Sequence, residues 1–529
     1  MVLALSVIGF CGLAGAVDNV AVLNAMPGIL TDPAQAWDWY DMQVLYNLYD
    51  PLVYPTPEGS IRPHVALSWE PVDGDLAHWE FTIMAGYLFH DETELTAEDV
   101  AWSMNRIKAM GGGGVMGDVT ATATDFYTVD FVLGVPNAVF PETLTQFFIL
   151  NKDLLMENLA DGDYGENGDY GNAWLQENDA GSGPYMMILN SPGDRLDAAR
   201  FEKYFLGWPG TDNPDEVPID RLIFKEESQF STLLLLLKSG GLDLECDGGW
   251  SLPQLEEIDK TEGLRLNYVW SEDTTVFINT TRPPTDDEHF RKAILYAYDY
   301  EAVVEPYLPF GAGEGGIYLS KMPGFVPIEP QPRKKDLDKA RAELALSKYA
   351  DKLDEVPPII AHFCAGLQNE EDIFLQLQAD LDELGIKVEV AGPPWSQYGS
   401  ECGTAEGTPH LTIWVFAPQY PTPDFYTYGM YHGPNWIYSA HWYFEDEEIV
   451  GLLEQTRATL KFEDRIPLYE QVQPMIASHA LAFFPYERQK AFPSQAYLIG
   501  PFEVTEMVGP NVNMRNWRIN LKLKEELRG

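Results

Sequence analysis

Catalytic chemistry requires particular residue types at particular spacings, and this sequence lacks the common ones. None of its nine histidines begins an HExxH pair for zinc, and no GxSxG motif supplies a serine nucleophile. The glycine run 111–114 is not followed by the Lys-Ser/Thr of a phosphate-binding loop. A pair of carboxylates could catalyse the hydrolysis of a glycosidic bond. The sequence has 82 acidic residues, however, and no pattern identifies two of them as such a pair. The sequence therefore favours a protein that is not an enzyme, with an exported hydrolase that uses two carboxylates as the alternative.

Binding chemistry has a clearer candidate in residues 388–456. This stretch contains no lysine or arginine but carries seven tyrosines and four tryptophans, namely Trp395, Trp414, Trp436 and Trp442. Aromatic faces pack well against the apolar part of a bound ligand, while a few polar groups orient it. The same side chains could equally belong to a hydrophobic core. The stretch thus predicts either a ligand-binding surface or a well-packed core.

Metal and cofactor sites have little support in the residue pattern. In the acidic loop 161–171, Asp161 and Asp163 fit the first and third positions of a calcium loop, but Gly165 and Glu166 break the pattern. The three cysteines beyond the N-terminal segment form no CxxC pair and allow at most one disulfide. We expect a solvated loop, no metal site and no cofactor. A receptor for a metal or metal chelate is the third hypothesis and the weakest of the three, because the histidines are scattered along the chain rather than clustered.

The elements that must position such residues alternate between helices and strands. Thr96, followed three residues later by Asp99, predicts a helix that begins with a capping box. Apolar residues recur at helical spacing in 373–384, and Gly385 is typical of a helix end. The alternation in 386–390 predicts that a half-buried strand follows. Mixed α/β layers are therefore expected.

Size and charge narrow the function classes. A chain of 529 residues predicts about three domains, and an apolar content of 45% is ample for a core. The net charge of −48 repels nucleic acid and anionic lipid, so both are excluded as partners. High salt screens the repulsion between the carboxylates of such a solvated acidic surface, so the composition is compatible with a saline habitat.

The N-terminal residues 2–16 predict an export signal. The run is apolar, too short to span a bilayer, and ends in the small residues Ala14, Gly15 and Ala16. Phe10 precedes Cys11 where a lipid-anchor signal has a small residue. We therefore expect cleavage after Ala16 and a periplasmic or otherwise extracytoplasmic location, without a lipid anchor.

Five motifs occur in a fixed order between about residues 40 and 490. The most specific is Phe89-His90-Asp91 followed by Leu95-Thr96-Ala97-Glu98-Asp99-Val100, with Ser103 and Arg106 beyond it. The others lie at 49–70, at 181–185 (GSGPY), at 240–243 (GGLD) and at 278–299. Together they resemble the family 5 extracellular solute-binding proteins, which are the peptide, nickel and oligosaccharide receptors of ABC importers. The first motif is similar to the family's FHDG…LTAEDV signature, except that Glu92 stands at the usual glycine.

The resemblance implies an α/β protein with the two-lobed periplasmic-binding-protein fold, of the large three-domain type II variety with a hinge. Domain I would combine residues 17–50, 185–276 and 492–529, domain II would be inserted at 51–184, and domain III would cover 277–491. The ligand would lie between domains I and III and be enclosed by closure of the lobes. His90 would be a structural, hydrogen-bonded histidine of domain II, away from the ligand.

The resemblance also indicates which residues would contact the ligand. Peptide-binding relatives place a tryptophan near the ligand, which Trp395 resembles, and an acidic residue just before a tyrosine that captures the peptide's amino group. Here Gln419 stands at the acidic position before Tyr420, so the charge is missing unless Asp424 or Glu401 supplies it. We expect ligand contacts from six residues: Trp270, Trp395, Trp414, Gln419, Tyr420 and Asp424.

The resulting expectation is a monomeric receptor that catalyses nothing and delivers its solute to the permease subunits of an ABC importer. Peptide is the favoured ligand class. An oligosaccharide is the alternative, because sugar faces stack on tryptophans and their hydroxyls bond neutral amides such as that of Gln419.

Overall fold

The computed structural model describes residues 19–36, 39–56, 59–246, 248–329, 331, 334–404, 406–432, 446–500 and 513–528. The described strands are β1 Val20–Ala25, β2 Val53–Pro55, β3 Ile61–Pro63, β4 Ala66–Pro71, β5 His78–Ile83, β6 Val119–Ala123, β7 Thr128–Leu133, β8 Tyr185–Ser191, β9 Arg195–Arg200, β10 Glu216–Pro218, β11 Arg221–Glu226, β12 Leu264–Ile278, β13 Ala312–Gly313, β14 Ile359–His362, β15 Val388–Ala391, β16 Leu411–Phe416, β17 Ala482–Phe483, β18 Glu487–Gln495, β19 Leu498–Ile499 and β20 Arg518–Asn520.

The described α-helices are α1 Trp39–Leu48, α2 Ala97–Ala109, α3 Phe140–Thr143, α4 Lys152–Met156, α5 Asn172–Leu175, α6 Phe230–Ser239, α7 Leu252–Asp259, α8 Glu288–Ala297, α9 Tyr300–Val304, α10 Leu337–Leu346, α11 Gln368–Asp382, α12 Trp395–Glu401, α13 Tyr428–Tyr431, α14 Glu447–Ala458, α15 Phe462–Ser478 and α16 Leu521–Arg528. Among the described residues, no helix combines the length and apolar character that a membrane crossing requires.

Three groups of elements, here called units, surround separate sheets. The first unit contains the sheet β1-β11-β9-β8 and the small sheet β10-β20-β19. The inserted unit contains β2 to β7 and α2 to α5, with a sheet in the order β4-β5-β7-β6. The large unit contains α8 to α15 and the sheet β13-β18-β12-β16-β14-β15, with β17 paired to β12. The domain limits given above remain predictions.

The first and inserted units share one hydrophobic core. Phe148 and Leu155 of the inserted unit pack in the same buried cluster as Leu23 and Leu45 of the first unit. Beside this core, the buried Arg106 of α2 donates from both Nη atoms to the Asp32 carboxylate, at 2.7 and 2.6 Å. Such a joint of apolar burial and a satisfied ion pair holds the two units as one body.

His90 lies at the same joint and forms structural hydrogen bonds, the role that was expected for it. Its Nδ1 lies 2.5 Å from a carboxylate oxygen of Asp179, and its Nε2 lies 2.9 Å from the carbonyl oxygen of Gly183. Both ring nitrogens are therefore occupied by structural hydrogen bonds. Burial opposes a charged ring, but the charge and hydrogen bond of Asp179, the Gly183 carbonyl and the charge of Asp50 together outweigh it and raise the pKa of His90.

Two long strands, β12 and β18, run side by side from the first unit into the large sheet. β12 has 15 residues, and its first half pairs with β18 while its second half pairs with β16. The pairing of β12 with β18 is irregular between Trp270 and Glu272, where the chain passes from one unit to the other. This pair of strands is the natural hinge between the units.

The local predictions of helices and strands are confirmed. α2 begins at Ala97, and the Thr96 N–H donates to the Asp99 carboxylate at 2.9 Å, as a capping box requires. α11 is followed by Gly385 at φ +76°, a backbone conformation that favours glycine, and then by β15. The three described cysteines form no disulfide with one another.

Candidate ligand-binding site

Strand directions determine which edge of the first unit faces the large unit. β1 is parallel to β11, and Leu23 of β1 also forms a parallel bridge with Leu244. Leu244 bridges Ser494 of β18 in the antiparallel sense, and β18 is antiparallel to β12. β1 and β11 therefore run in the same direction as β12, so their carboxyl ends point toward the large unit.

The large sheet runs in the opposite direction. β16 is antiparallel to β12, and β14 is parallel to both β16 and β15. The carboxyl ends of β14, β15 and β16 therefore point back toward the first unit. Ligands of open α/β sheets bind outside the carboxyl ends of the strands. Two such edges face each other here across the hinge strands, and the crevice between them is the candidate site.

An aromatic cluster lies at the large unit's side of this crevice. Trp395 begins α12 just after β15, and its ring centroid lies 5.8 Å from that of Trp414 on β16 at an interplanar angle of 73°. Trp414 is buried between Tyr398 and Phe416, whereas Trp395 keeps 49% of its surface exposed. The Tyr398 hydroxyl donates to the carbonyl oxygen of Ile413 at 2.6 Å and fixes the helix against the strand. Trp395 is thus a partly exposed aromatic face on a rigid support.

Gln419 follows β16 in the loop that leaves the same edge. Its side chain is half-buried, and within the described part of the chain its amide forms no hydrogen bond. An uncommitted amide can donate to one ligand atom and accept from another. The Gln419 side chain can therefore form hydrogen bonds with a ligand, whereas those of Tyr420 and Asp424 are already engaged.

Tyr420 and Asp424 are buried and already committed to each other. The Tyr420 hydroxyl donates to the Asp424 carboxylate at 2.9 Å, and Arg457 of α14 donates from Nη2 to the same oxygen at 2.8 Å. Burial, followed by the charge of Asp424, raises the pKa of the Tyr420 hydroxyl well above its usual value. The Asp424 charge is neutralised by Arg457, so it does not replace the missing acidic residue at 419.

Glu401, the other carboxylate considered as a replacement, is also engaged. One of its oxygens lies 2.9 Å from Nδ1 of His362, and the other accepts a bond from Gln397 at 2.7 Å. Neither Asp424 nor Glu401 therefore presents an unpaired carboxylate to the crevice.

The remaining predicted aromatics are less completely described. The backbone of Trp270 lies in β12 opposite Gln489, at the irregular pairing where the chain crosses between the units, and its side chain lies outside the described part. Trp436 and Trp442 also lie outside the described residues. Of the six predicted contact residues, the structure thus brings Trp395, Trp414 and Gln419 to one edge and encloses Tyr420 and Asp424 behind it.

The first unit's edge contains residues that sequence reasoning did not select. The Cys246 N–H donates to the Asn24 side chain at 2.7 Å, and the Gln43 amide donates to the Cys246 carbonyl oxygen. At the end of β1, the Gly28 N–H donates to Glu226 at 2.8 Å, which joins the β1 and β11 ends. These partners are about 200 residues apart in the chain, so no local pattern could indicate them.

Comparison with known proteins gives a consistent family. The profile of the bacterial extracellular solute-binding proteins, family 5 Middle, matches residues 60–438. The probable D,D-dipeptide-binding periplasmic protein DdpA of Escherichia coli K12 is 26% identical over 490 residues, covering 89% of each chain. Among solved structures, the ABC transporter substrate-binding protein CtaP of Listeria monocytogenes has a TM-score of 0.77 at 18% identity, covering 95% of this chain and 99% of that one. The periplasmic binding protein DppA of Helicobacter pylori, in complex with the peptide STSA, has a TM-score of 0.74 at 20% identity, covering 94% and 98%.

Proposed function

The chain belongs to the bacterial extracellular solute-binding proteins of family 5, the substrate-binding components of ABC transporters, and we propose that its solute is a peptide held in the crevice between the two facing strand edges. The observation that carries the proposal is the opposed direction of the strands in the two units, which turns both carboxyl edges toward one crevice. Relatives named for dipeptide or peptide binding support the ligand class.

The peptide would be bound mainly through its body. Trp395 offers an apolar face, and Gln419 offers one donor and one acceptor for a backbone or terminal group. Because the carboxylates of Asp424 and Glu401 are already paired, the peptide's amino group would find no free charge in this loop. A peptide with a blocked or distant amino terminus would then bind about as well as a free one.

An oligosaccharide is the second candidate, and the same loop favours it. A neutral amide beside an exposed tryptophan suits sugar hydroxyls and the apolar face of a pyranose ring. The two ligand classes differ in charge, which makes them separable by experiment.

The first experiment identifies the solute. Mass spectrometry of small molecules released from the purified protein is followed by thermal unfolding with candidate peptides and with cello-, chito- and manno-oligosaccharides. A ligand at 100 times its Kd adds about 2.7 kcal/mol to the free energy of unfolding. Stabilisation by peptides supports the proposal, stabilisation by sugars alone replaces it with the second candidate, and turnover of either ligand would indicate an enzyme.

Gln419→Glu tests the binding mode directly. If a peptide's amino group lies near residue 419, the introduced carboxylate converts a neutral hydrogen bond into a charge-assisted one, which strengthens binding about tenfold. The N-acetylated form of the same peptide is the matched control and gains nothing. An equal gain for both forms, or for an oligosaccharide, would contradict amino-terminal recognition at this position.

The remaining properties follow from the same proposal. The protein would act in the periplasm or another extracytoplasmic space as a monomer, and would pass its solute unchanged to the permease subunits of an importer. Residues 2–16, which the sequence predicts to be an export signal, lie outside the described residues. Among the described side chains, no group of three or more histidine, cysteine or acidic residues is placed to bind a metal ion.

A further inference from the structure

The inserted unit also contacts the large unit directly, outside the pairing of β12 with β18. Val139 of the inserted unit is fully buried in the core cluster of the large unit, and the Ala138 N–H donates to the carbonyl oxygen of Arg457 at 2.7 Å. Next to them, Glu142 of α3 forms an ion pair with Arg465 of α15. Both side chains of the pair are buried, although they are 323 residues apart in the chain.

This contact differs in kind from the joint between the first and inserted units. That joint combines a continuous apolar core with an Asp32 carboxylate whose bonds from Arg106 and Asn172 are all formed. In contrast, within the described residues the Nε and Nη1 hydrogens of Arg465 find no acceptor. A buried ion pair that is incompletely satisfied contributes little net stability, because desolvation offsets the attraction between its charges.

A cavity adjoins the part of the contact that is formed by Ala138 and Arg457. A cavity of about 510 Å³ lies between the two units, lined by Val115 and Val135 on the inserted side and by Tyr420, Tyr428 and Arg457 on the other. The two units therefore pack together through Val115 and Val139 but leave part of the space between them unfilled. An interface that leaves such space unfilled loses fewer packing contacts when it separates than a fully packed apolar core does.

The contact is linked to the loop at the candidate site. Arg457, whose carbonyl oxygen receives the Ala138 bond, also holds the Asp424 carboxylate behind Gln419. Its guanidinium carbon lies 3.4 Å from the centroid of the Tyr428 ring. The inserted unit thus touches the residue that fixes the conformation of loop 419–424.

We infer that Glu142 and Arg465 are positioning residues: their ion pair holds the large unit against the inserted unit, so the crevice opens only when the pair separates. The inference rests on the proposed function, because it assumes that the lobes open about β12 and β18. It makes the inserted unit, which is fixed to the first unit, a second point of attachment between the lobes. The lobes would then be held closed at two places, the hinge strands and the ion pair of Glu142 with Arg465, which we call the latch.

The test measures the open and closed populations without any ligand. Small-angle X-ray scattering of the ligand-free protein gives the radius of gyration, which we expect to increase in Glu142→Gln and in Arg465→Met. Arg465→Lys keeps the cation and should retain a radius closer to that of the unchanged protein. Glu98→Gln is the matched control, because Glu98 pairs with Lys152 within the inserted unit and should leave the radius unchanged.

The outcomes separate the latch from the proposed function. A larger radius in a protein that binds no solute would support the latch and refute the proposed function. Solute binding with an unchanged radius in both Glu142→Gln and Arg465→Met would refute the latch alone. Cooperative thermal unfolding identifies variants that fold, and if one of the two fails to fold, the other decides the question.

Discussion

At the scale of single residues, Trp395 and Trp414 share the aromatic cluster but differ in their exposure to solvent. Trp395 keeps about half of its surface, whereas Trp414 is enclosed on the sheet between Tyr398 and Phe416. A residue that packs on one side and faces the crevice on the other can serve a ligand without being essential to the fold. The two positions therefore form a natural pair of experimental variants.

Trp395→Ala is expected to weaken solute binding by tenfold or more while changing the free energy of unfolding by about 1 kcal/mol or less. Trp414→Ala, the matched control, removes a buried ring and should cost about 3–5 kcal/mol of stability. Calorimetric titration with the identified solute measures the first effect, and chemical denaturation measures the second. Global unfolding of Trp395→Ala would assign this residue to the core and remove it from the site.

How much of the site could be predicted depends on the range of the interactions. The sequence indicated the aromatic loop of the large unit, because its residue types and its motif are local. It could not indicate that Tyr420 and Asp424 are enclosed, because Arg457 lies 33 residues from Asp424 and reaches it only through the tertiary fold. The same reason hides the pairing of Glu142 with Arg465.

At the scale of secondary structure, the elements with local signals were predicted from the residues themselves, whereas the hinge was expected only from the family resemblance. The start of α2 depends on Thr96 and Asp99, and the end of α11 on Gly385, all of which are adjacent to the element they limit. β12 has no comparable signal, because its length and its two partners are set by pairing with strands more than 130 residues further along the chain.

The hinge brings two carboxyl groups together. Asp273 of β12 and Glu487 of β18 are directly opposite each other in the strand pairing, and both are buried. Burial first, and the charge of Glu487 second, raise the pKa of Asp273 well above its usual value, and burial likewise raises the pKa of Glu487. The hydroxyl of Thr275 is 3.2 Å from the Asp273 carboxylate, and Ser320 binds Glu487.

Asp273→Asn should therefore stabilise the protein increasingly as the pH rises. A carboxyl group with a raised pKa keeps its proton in the folded state after the unfolded chain has released it, so the stability of the unchanged protein falls as the pH rises from the unfolded pKa through the folded one. The loss is about 1.4 kcal/mol per unit of pKa difference, and the asparagine variant does not incur it. Chemical denaturation at pH 5 and pH 8 measures the difference.

The exposed Asp259 provides the control for this hinge prediction. Asp259→Asn removes a carboxyl group from the solvent-exposed end of α7, outside the buried pair, and should follow the pH profile of the unchanged protein. If Asp273→Asn shows no advantage at pH 8 over pH 5, the buried pair does not retain a proton in the folded state.

At the scale of the whole molecule, strand direction and net charge are the two decisive properties. The facing edges of the first and large units result from several strand pairings together with the two bridges of Leu244, so they emerge only when the complete topology is known. The net charge, in contrast, can be counted from the sequence alone. The sequence value of −48 is large for any protein of this size, and it predicts how stability depends on the solvent.

Sodium chloride should raise the thermal midpoint of this protein at neutral pH. Repulsion among the excess carboxylates favours the unfolded chain, and raising the salt from 0.1 M to 1 M shortens the screening length from about 10 Å to about 3 Å. Because the sequence isoelectric point is about 4.3, the same salt series near that pH provides the control, in which no net repulsion remains to be screened. Calorimetry at both pH values measures the effect. A midpoint that falls with salt at neutral pH would mean that attractive ion pairs at the surface, such as Lys203 with Glu92 and Lys238 with Glu257, outweigh the repulsion of the surface carboxylates.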